Sequence, residues 1–292
     1  MSSKLYPYSC LALAMILVGS TVTASKVIAD GLSPFVASAL RLAFALPLFL
    51  GLMYWRGLSW PRPGWRDGML LVAQAAAGSV GYTVLLIEGL RLTSASSAGV
   101  IMGLLPVVAA LFSLVVLRER PSWRLLAALG LATSGVLLVT TAAGDGTGSW
   151  LGNLLVLGAV ASEALFILLN KALRRPVEPL VLSTLMCAIG LLLTAIPAFF
   201  EPALRFGAAS LAVLYYAIVP TVGGYLLWYA GAARVSASEA SLFTALVPVS
   251  ALLFAVLLLG ERVGAAQLVG VACVLASMAS LWLPLSPSRR KA

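Results

Sequence analysis

The chain contains no histidine, and only 10% of its residues are charged. Without histidine, a histidine-based triad, proton relay or metal site is excluded. A soluble domain carries about 25% charged residues, so this chain has too few to cover a globular surface. Its three cysteines lie in apolar runs without C-x-x-C spacing, which argues against a disulfide framework or a metal cluster. We therefore expect no metal and no cofactor.

Hydrophobic residues make up 61% of the chain, which indicates an integral membrane protein with the lipid bilayer as its surroundings. The net charge of +9 would suggest a nucleic-acid partner in a soluble protein. In a membrane protein, Lys and Arg in short cytoplasmic loops account for it, so we expect no nucleic-acid partner. The first apolar run, about 8–29, is too long for a cleavable signal peptide.

Ten apolar segments follow one another along the chain, and each is close to the roughly 20 helical residues that a bilayer core requires. Short polar breaks such as "ADGLSP" and "RERPSWR" separate them. The sequence therefore predicts an all-α polytopic membrane protein with ten transmembrane helices. The predicted spans are 8–29, 34–56, 68–90, 94–117, 122–141, 150–173, 179–200, 208–232, 236–259 and 264–284.

The distribution of Lys and Arg predicts the orientation of these spans, because cytoplasmic loops are enriched in both residues. If the N-terminus is cytoplasmic, the segments on that side hold fourteen of them and the opposite segments hold four. We therefore expect both termini in the cytoplasm and the protein in the inner (plasma) membrane.

Two halves of the chain resemble each other. "LLPVVAALFSLVVLRER", from Leu104, and "LVPVSALLFAVLLLGER", from Leu246, are identical at nine of seventeen positions. "GYTVLLIEGLRLTSASSA", from Gly81, likewise resembles "GYLLWYAGAARVSASEAS", from Gly224. Residues 1–145 and 146–292 thus form two five-span repeats, and the odd number of spans inverts the second. Inverted repeats are typical of alternating-access carriers; an old duplication that only builds a stable bundle is the alternative.

The pattern "GY…R…SAS.A…P", followed by an apolar run that ends in Glu-Arg, resembles the EamA-like ten-span group of the drug/metabolite transporter superfamily. Within that group the chain is similar to the YddG branch, whose members export aromatic and other amino acids and some toxic cations. The resemblance covers essentially the whole chain. It implies a ten-helix bundle with a central substrate cavity, lined mainly by spans 1, 3, 4, 6, 8 and 9.

Glu163 is the most informative single residue, because it lies near the centre of the sixth predicted span. An acid at that depth costs at least about 2.5–3.5 kcal/mol and is a functional-site hypothesis by default. It could bind a substrate ammonium or carry a coupling proton; a structural pairing with Arg41 is the alternative. Its repeat equivalent is Val18, so the acid is not part of the duplicated scaffold.

Further candidate substrate-binding residues are polar or aromatic side chains, together with two backbone carbonyls that prolines four residues later would free. An aromatic belt at the membrane interface and hydrogen bonds between helices are the alternative readings. These residues are Gln74, Ser79, Tyr82, Met102, Asn170, Tyr225, Trp228 and Thr244.

Prolines and glycines in the spans of both halves predict hinges beside the cavity, with static kinks as the alternative. Pro220 has no proline counterpart in the third span, and this asymmetry could make one gate stiffer than the other. The predicted hinge residues are Gly99, Gly103, Pro106, Pro220, Gly223, Gly224 and Pro248.

These patterns predict a monomeric secondary transporter that exports amino acids, aromatic and others, or related small metabolites by alternating access. Export of toxic organic cations is the alternative within the same superfamily. A membrane-embedded enzyme is a less favoured class, because the chain lacks an H-E-x-x-H motif, a P-loop and paired carboxylates at catalytic spacing. No span supplies the continuous polar stripe of a passive channel.

Overall fold

The computed structural model describes residues 5–112 except Arg62, Pro106 and Ala110, single residues between 123 and 138, and residues 149–174, 177–201, 207–232, 234, 243 and 246–282. All regular structure in these ranges is helical. The helices are α1 (Leu5–Ala29), α2 (Pro34–Trp55), α3 (Trp65–Gln74), α4 (Tyr82–Leu92), α5 (Ala95–Met102), α6 (Trp150–Lys171), α7 (Pro179–Phe199), α8 (Ala208–Tyr216), α9 (Gly224–Ala232), α10 (Leu246–Leu259) and α11 (Ala265–Trp282).

Six stretches of the described chain are long and apolar enough to cross a membrane, and two shorter apolar helices accompany them. The longest runs from Trp65 to Leu92 and includes α3 and α4. Exposed aromatic residues mark the two ends of the bundle: Trp55 and Trp65 at one end, Trp150 and Phe199 at the other. The prediction of an all-α polytopic membrane protein is confirmed. Most of the predicted fifth span, 122–141, lies outside the described residues.

The most extensive helix packing joins helices of one half to helices of the other half. α2 packs against α7, and α5 packs against α10. α1 packs along α8 and α9, while α6 packs along α3 and α4. α1 and α6 are repeat equivalents, and each packs along the equivalent pair of helices in the other half. α2 and α7, like α5 and α10, are repeat equivalents that pack against each other. A two-fold relation between the repeats would give this pattern. The inverted orientation of the repeats across the membrane stays a prediction.

Glycines allow several of these helices to approach closely. A Cβ on Gly19 of α1 would lie 1.9 Å from Oγ of Ser250 in α10. Where α4 meets α6, a Cβ on Gly89 would lie 3.0 Å from the carbonyl oxygen of Gly152. Small residues serve this purpose in membranes, where close van der Waals packing replaces the hydrophobic drive between helices.

Two π-helical segments interrupt the bundle at corresponding places in the repeats. The first, Ala75–Gly81, joins α3 to α4, and the second, Ala217–Gly223, joins α8 to α9. Only the second contains a proline, Pro220. The wider turn is therefore not a consequence of proline alone. Such segments occur mostly as single turns and often at functional sites.

The two ends of the bundle are named here by one residue each. At the Glu261 end, α1, α4, α7 and α10 end, and α2, α6 and α8 begin. At the Arg234 end, α2, α6 and α9 end, and α3 and α7 begin. By the charge distribution, the Glu261 end is predicted to face away from the cytoplasm.

Candidate substrate-binding site

Glu163 lies in the middle of α6 with its side chain half-buried. Arg41 of α2 acts electrostatically on its carboxylate, and the carboxylate in turn acts on the phenols of Tyr82 in α4 and Tyr225 in α9. Its surroundings are thus the interior of the bundle, and its partial exposure there means that the helices leave a recess beside it. Among the described residues, none lies within hydrogen-bonding or ion-pair distance of this carboxylate.

Arg41 reaches the same interior region from α2 and is only 9% exposed. Its Nη2 donates to the carbonyl oxygen of Ser79 at 2.9 Å and to Oγ1 of Thr83 at 3.0 Å. The guanidinium carbon lies 4.9 Å from the centroid of the Tyr216 ring, within cation–π range. Its Nε is buried without a hydrogen-bond partner in the described part of the chain.

Glu163 and Arg41 therefore share one region of the bundle without forming a contact ion pair. Burying two opposite charges is expensive, and direct contact normally offsets part of the cost. Here the two groups come from different halves of the chain, and neither is duplicated. The repeat equivalent of Arg41 is Met186, as that of Glu163 is Val18.

Two tyrosines flank the two π-helical segments around these charges. Tyr82 directly follows the first segment, and its Oη lies 3.9 Å from Sδ of Met102, the last residue of α5. Tyr216 directly precedes the second segment and is buried. Thr21 of α1 lies beside the phenols of both Tyr82 and Tyr216. The structure thus brings the predicted Tyr82 and Met102 together near Glu163.

The predicted aromatic group of the eighth span divides between two faces. Tyr225 and Tyr229 stack with ring centroids 5.9 Å apart and an interplanar angle of 20°, and Phe49 meets Tyr225 edge-on at 6.2 Å. Trp228 instead packs against the largest apolar core, which includes α1 and α10. The side chains of Tyr225, Trp228 and Tyr229 are all half-buried.

Gln74 and Ser79 occupy positions at and within the first π-helical segment. Gln74 is fully buried, and its Nε2 donates to the carbonyl oxygen of Phe166 in α6 at 3.4 Å. Its Oε1 has no partner among the described residues. Ser79 lies inside the segment and offers its carbonyl to Arg41. Gln74 thus forms a hydrogen bond between helices, which was the alternative to a substrate-binding role.

The predicted break in the fourth span is visible on the side that the structure describes. α5 ends at Met102, and the N–H groups of Gly103 and Leu104 bond back three residues, to Val100 and Ile101. Gly103 also packs tightly, because a Cβ there would lie 2.4 Å from Cγ1 of Val274. A Cβ on Gly99 would lie 2.8 Å from that of Ala251. These glycines are close-packing positions.

The remaining predicted hinge residues lie in the second half. Pro220 is part of the second π-helical segment, which ends at Gly223 just before Gly224 begins α9. Pro248 is buried in α10, whose described part begins at Leu246. Pro106, Thr244 and the side chain of Asn170 lie outside the described residues.

Polar contacts hold the Glu261 end together. The carboxylate of Glu261 accepts hydrogen bonds from the N–H groups of Ala95 and Ser96, at 2.8 and 2.9 Å, and from Oγ of Ser96 at 2.7 Å. It thereby caps the N-terminus of α5 from the other half of the chain, where a negative charge is favoured.

Two basic residues contribute to the same end. Arg91 donates to the carbonyl oxygens of Ala29 at 3.1 Å and Leu32 at 2.8 Å. Lys26 donates to those of Leu90 at 2.6 Å and Thr93 at 3.2 Å. These bonds fix the turn between α1 and α2 against the end of α4.

From the sequence, Arg41 is expected only as a possible structural partner of Glu163 and not as a substrate-binding residue. The signal that could have found it is the one used for Glu163: a charge in mid-membrane whose repeat equivalent is apolar.

The fold is that of a polytopic membrane protein with two similarly packed halves around a charged interior. The sequence pattern of the EamA-like transporter family matches residues 5–141 and 150–283. The chain belongs to the EamA-like transporter family, within the drug/metabolite transporter superfamily, and is a membrane transporter.

Two relatives and one solved structure place the chain further. It is 31% identical to the uncharacterized transporter YetK of Bacillus subtilis, over 92% of this chain and 84% of that protein. It is 29% identical to the "probable terminal-alkyne amino-acid exporter" of Streptantibioticus cattleyicolor, over 74% of each chain. A solved crystal structure superposes with a TM-score of 0.68 over 94% of this chain and 96% of the other, at 22% identity, and so shares its fold.

Proposed function

We propose that this transporter exports amino acids, or closely related small metabolites, across the plasma membrane by alternating access. The observation that carries the proposal is Glu163, a half-buried acid in mid-membrane without a protein partner among the described residues. Such an acid is costly unless something offsets its charge. The ammonium group of an amino acid would do so while it occupies the recess.

The arrangement of the two halves supports alternating access. Their helices exchange partners across the bundle, and each half carries one π-helical segment in the corresponding span. Two equivalent halves can exchange conformations and so open the site to either side. The charge distribution supports a cytoplasmic position of both termini.

One relative supports the substrate class, since its name describes an amino-acid exporter. Its identity to this chain is 29%, so it favours the class and not a particular amino acid.

Export of organic cations is the second candidate function. The Tyr225–Tyr229 stack beside an unpaired acid would suit a flat cation, since aromatic faces attract positive charge. The guanidinium of Arg41 disfavours it, because it adds a positive charge to the same region. A cation therefore fits this interior less well than a solute with groups of both signs.

The test is counterflow in liposomes that contain the purified protein. Liposomes preloaded with one unlabelled amino acid at a time take up the labelled form transiently if the protein is a carrier. We expect saturable counterflow for at least one amino acid, and its loss in E163Q. Absence of counterflow for all twenty, with counterflow of a labelled organic cation, would replace the proposal by the second candidate.

A further inference from the structure

Resting on the proposed function, we propose that Arg41 is the carboxylate receptor of the site and that the transported solutes are zwitterions. Their carboxylate binds the guanidinium of Arg41 while their ammonium group binds Glu163. The two ends of one solute thus bridge two charges that come from opposite halves of the chain.

The donor groups of Arg41 support this assignment. A guanidinium has five N–H donors in a planar fork, and each can form a charge-assisted hydrogen bond to a carboxylate. Among the described residues, Ser79 and Thr83 accept from Nη2. Nε is buried without a partner among them, and none of them accepts a bond from Nη1. The N–H groups of Nε and Nη1 therefore remain for a carboxylate.

The placement of the charges gives the second argument. Glu163 and Arg41 act on each other electrostatically but lie beyond ion-pair distance, so neither removes the other's desolvation cost by contact. A molecule with one charge of each sign, inserted between them, satisfies both groups. A simple cation or a simple anion satisfies one and leaves the other unpaired.

A purely structural role for Arg41 is the competing explanation, because its bond to Ser79 satisfies a carbonyl of the first π-helical segment. That role predicts equal effects of an Arg41 substitution on all ligands. A receptor role predicts a loss of the preference for a carboxylate. Selectivity between a solute and its amide therefore separates the two.

The experiment compares amino acids with derivatives that lack one charge. Binding of L-phenylalanine, L-leucine and L-threonine to the purified wild type is measured by calorimetry, beside their C-terminal amides and N-acetyl derivatives. We expect the free amino acid that shows counterflow to bind about 10- to 100-fold more tightly than either derivative, the range for one charge-assisted hydrogen-bonding group.

The variants R41M and R41K then assign that preference to Arg41. Methionine is the residue at the equivalent position of the other half, Met186, so R41M suits a packed membrane helix. We expect R41M to bind the amino acid and its amide equally and R41K to retain a reduced preference. R234M is the matched control, because Arg234 is exposed at the end of the bundle and should leave the ratio unchanged.

The outcomes separate this inference from the proposed function. Amino-acid counterflow by the wild type, together with an unchanged preference for the free acid in R41M, would overturn the role of Arg41 and leave the function intact. Equal binding of acid and amide by the wild type would do the same, even if R41M did not fold. Absence of counterflow for every amino acid would remove the proposed function first.

Discussion

The same backbone group is satisfied differently at the two ends of the bundle. Val36 in α2 and Val181 in α7 are repeat equivalents in the first turns of their helices. The N–H of Val181 donates to Glu178, which caps its own helix at 3.1 Å. The N–H of Val36 donates to Glu201, at 3.3 Å, and Glu201 belongs to the other half of the chain. The cap of Val181 at the Arg234 end is therefore local, whereas that of Val36 at the Glu261 end crosses between halves.

Arg91 and Arg234 are a second pair of repeat equivalents with different contacts. Arg91 binds two carbonyl oxygens of the turn between α1 and α2. Arg234 is exposed, bonds back to Ala230 in its own helix and lies 5.2 Å from the ring centroid of Tyr6. It makes no bond to the described residues of the turn between α6 and α7, which corresponds to the turn that Arg91 holds.

These two pairs show that equivalent residues of the two repeats make different contacts. The halves are joined by polar contacts at the Glu261 end, and the described equivalents at the Arg234 end are not engaged in the same way. Under the proposed orientation, this is a state closed to the outside. Alternating access then requires the contacts of the Glu261 end to break during transport.

Removing the carboxylate of Glu261 should have the largest effect on this asymmetry. E261A deletes three hydrogen bonds to the N-terminus of α5, and we expect about 10- to 100-fold more opening at that end. Ser25, fully buried in α1, provides the reporter as S25C in a background without native cysteines. Its rate of labelling by an impermeant maleimide, added from the Glu261 side, measures the opening.

E88A is the matched control for this measurement. Glu88 lies near the same end but forms only an exposed i, i+3 ion pair with Arg91, at 2.9 Å. Such pairs contribute between about 0 and 1 kcal/mol. A labelling rate in E261A no greater than in E88A would show that Glu261 does not hold this end closed.

Replacing Arg91 or Arg234 by methionine should affect opening less than E261A does. We expect an effect from the Arg91 substitution and little from the Arg234 substitution. R91M loses two bonds to backbone carbonyls, and we expect roughly tenfold faster S25C labelling together with a lower melting temperature in detergent. R234M loses only exposed contacts and should change either quantity little. Equal effects of the two substitutions would contradict the asymmetry.

The two capping glutamates should give the smallest effects. E201A and E178A each remove one helix cap, which typically stabilises by about 1 kcal/mol. We expect a similar loss of thermal stability in both variants and faster S25C labelling in E201A alone. If E178A accelerated labelling as much as E201A, the cap across the halves would have no gating role.

Much of the fold follows from the sequence because bilayer thickness fixes the length of each apolar span. The predicted limits of the second, sixth and seventh spans agree with α2, α6 and α7 within a few residues. The described part of α1 reaches back to Leu5 and α3 begins at Trp65, each three residues before the predicted span. Polar or amphipathic residues at an interface extend a helix beyond the apolar run, which hydropathy does not detect.

The π-helical segments and the recess beside Glu163 could not be predicted from the sequence. Ala75–Gly81 contains no proline and has the composition of an ordinary small-residue helix, so nothing local distinguishes the wider turn. The approach of Arg41 to the carbonyl of Ser79 depends on how α2 packs, which no pattern in either segment encodes. The scaffold could be predicted because its motifs occur in both repeats. Arg41 and Glu163 have no charged equivalent in the other repeat, so the repeat pattern does not indicate how they are arranged.

One crosslink tests the central claim that the Glu261 end must open during transport. The Ser96 hydroxyl and the Glu261 carboxylate are in direct contact, so a bis-methanethiosulfonate crosslinker can join S96C to E261C across the two halves, in a background without native cysteines. The account predicts that the crosslink abolishes amino-acid counterflow in liposomes and that a reductant restores it, while the reagent leaves counterflow by either single variant unchanged. Full counterflow with the crosslink formed would contradict alternating access through this end.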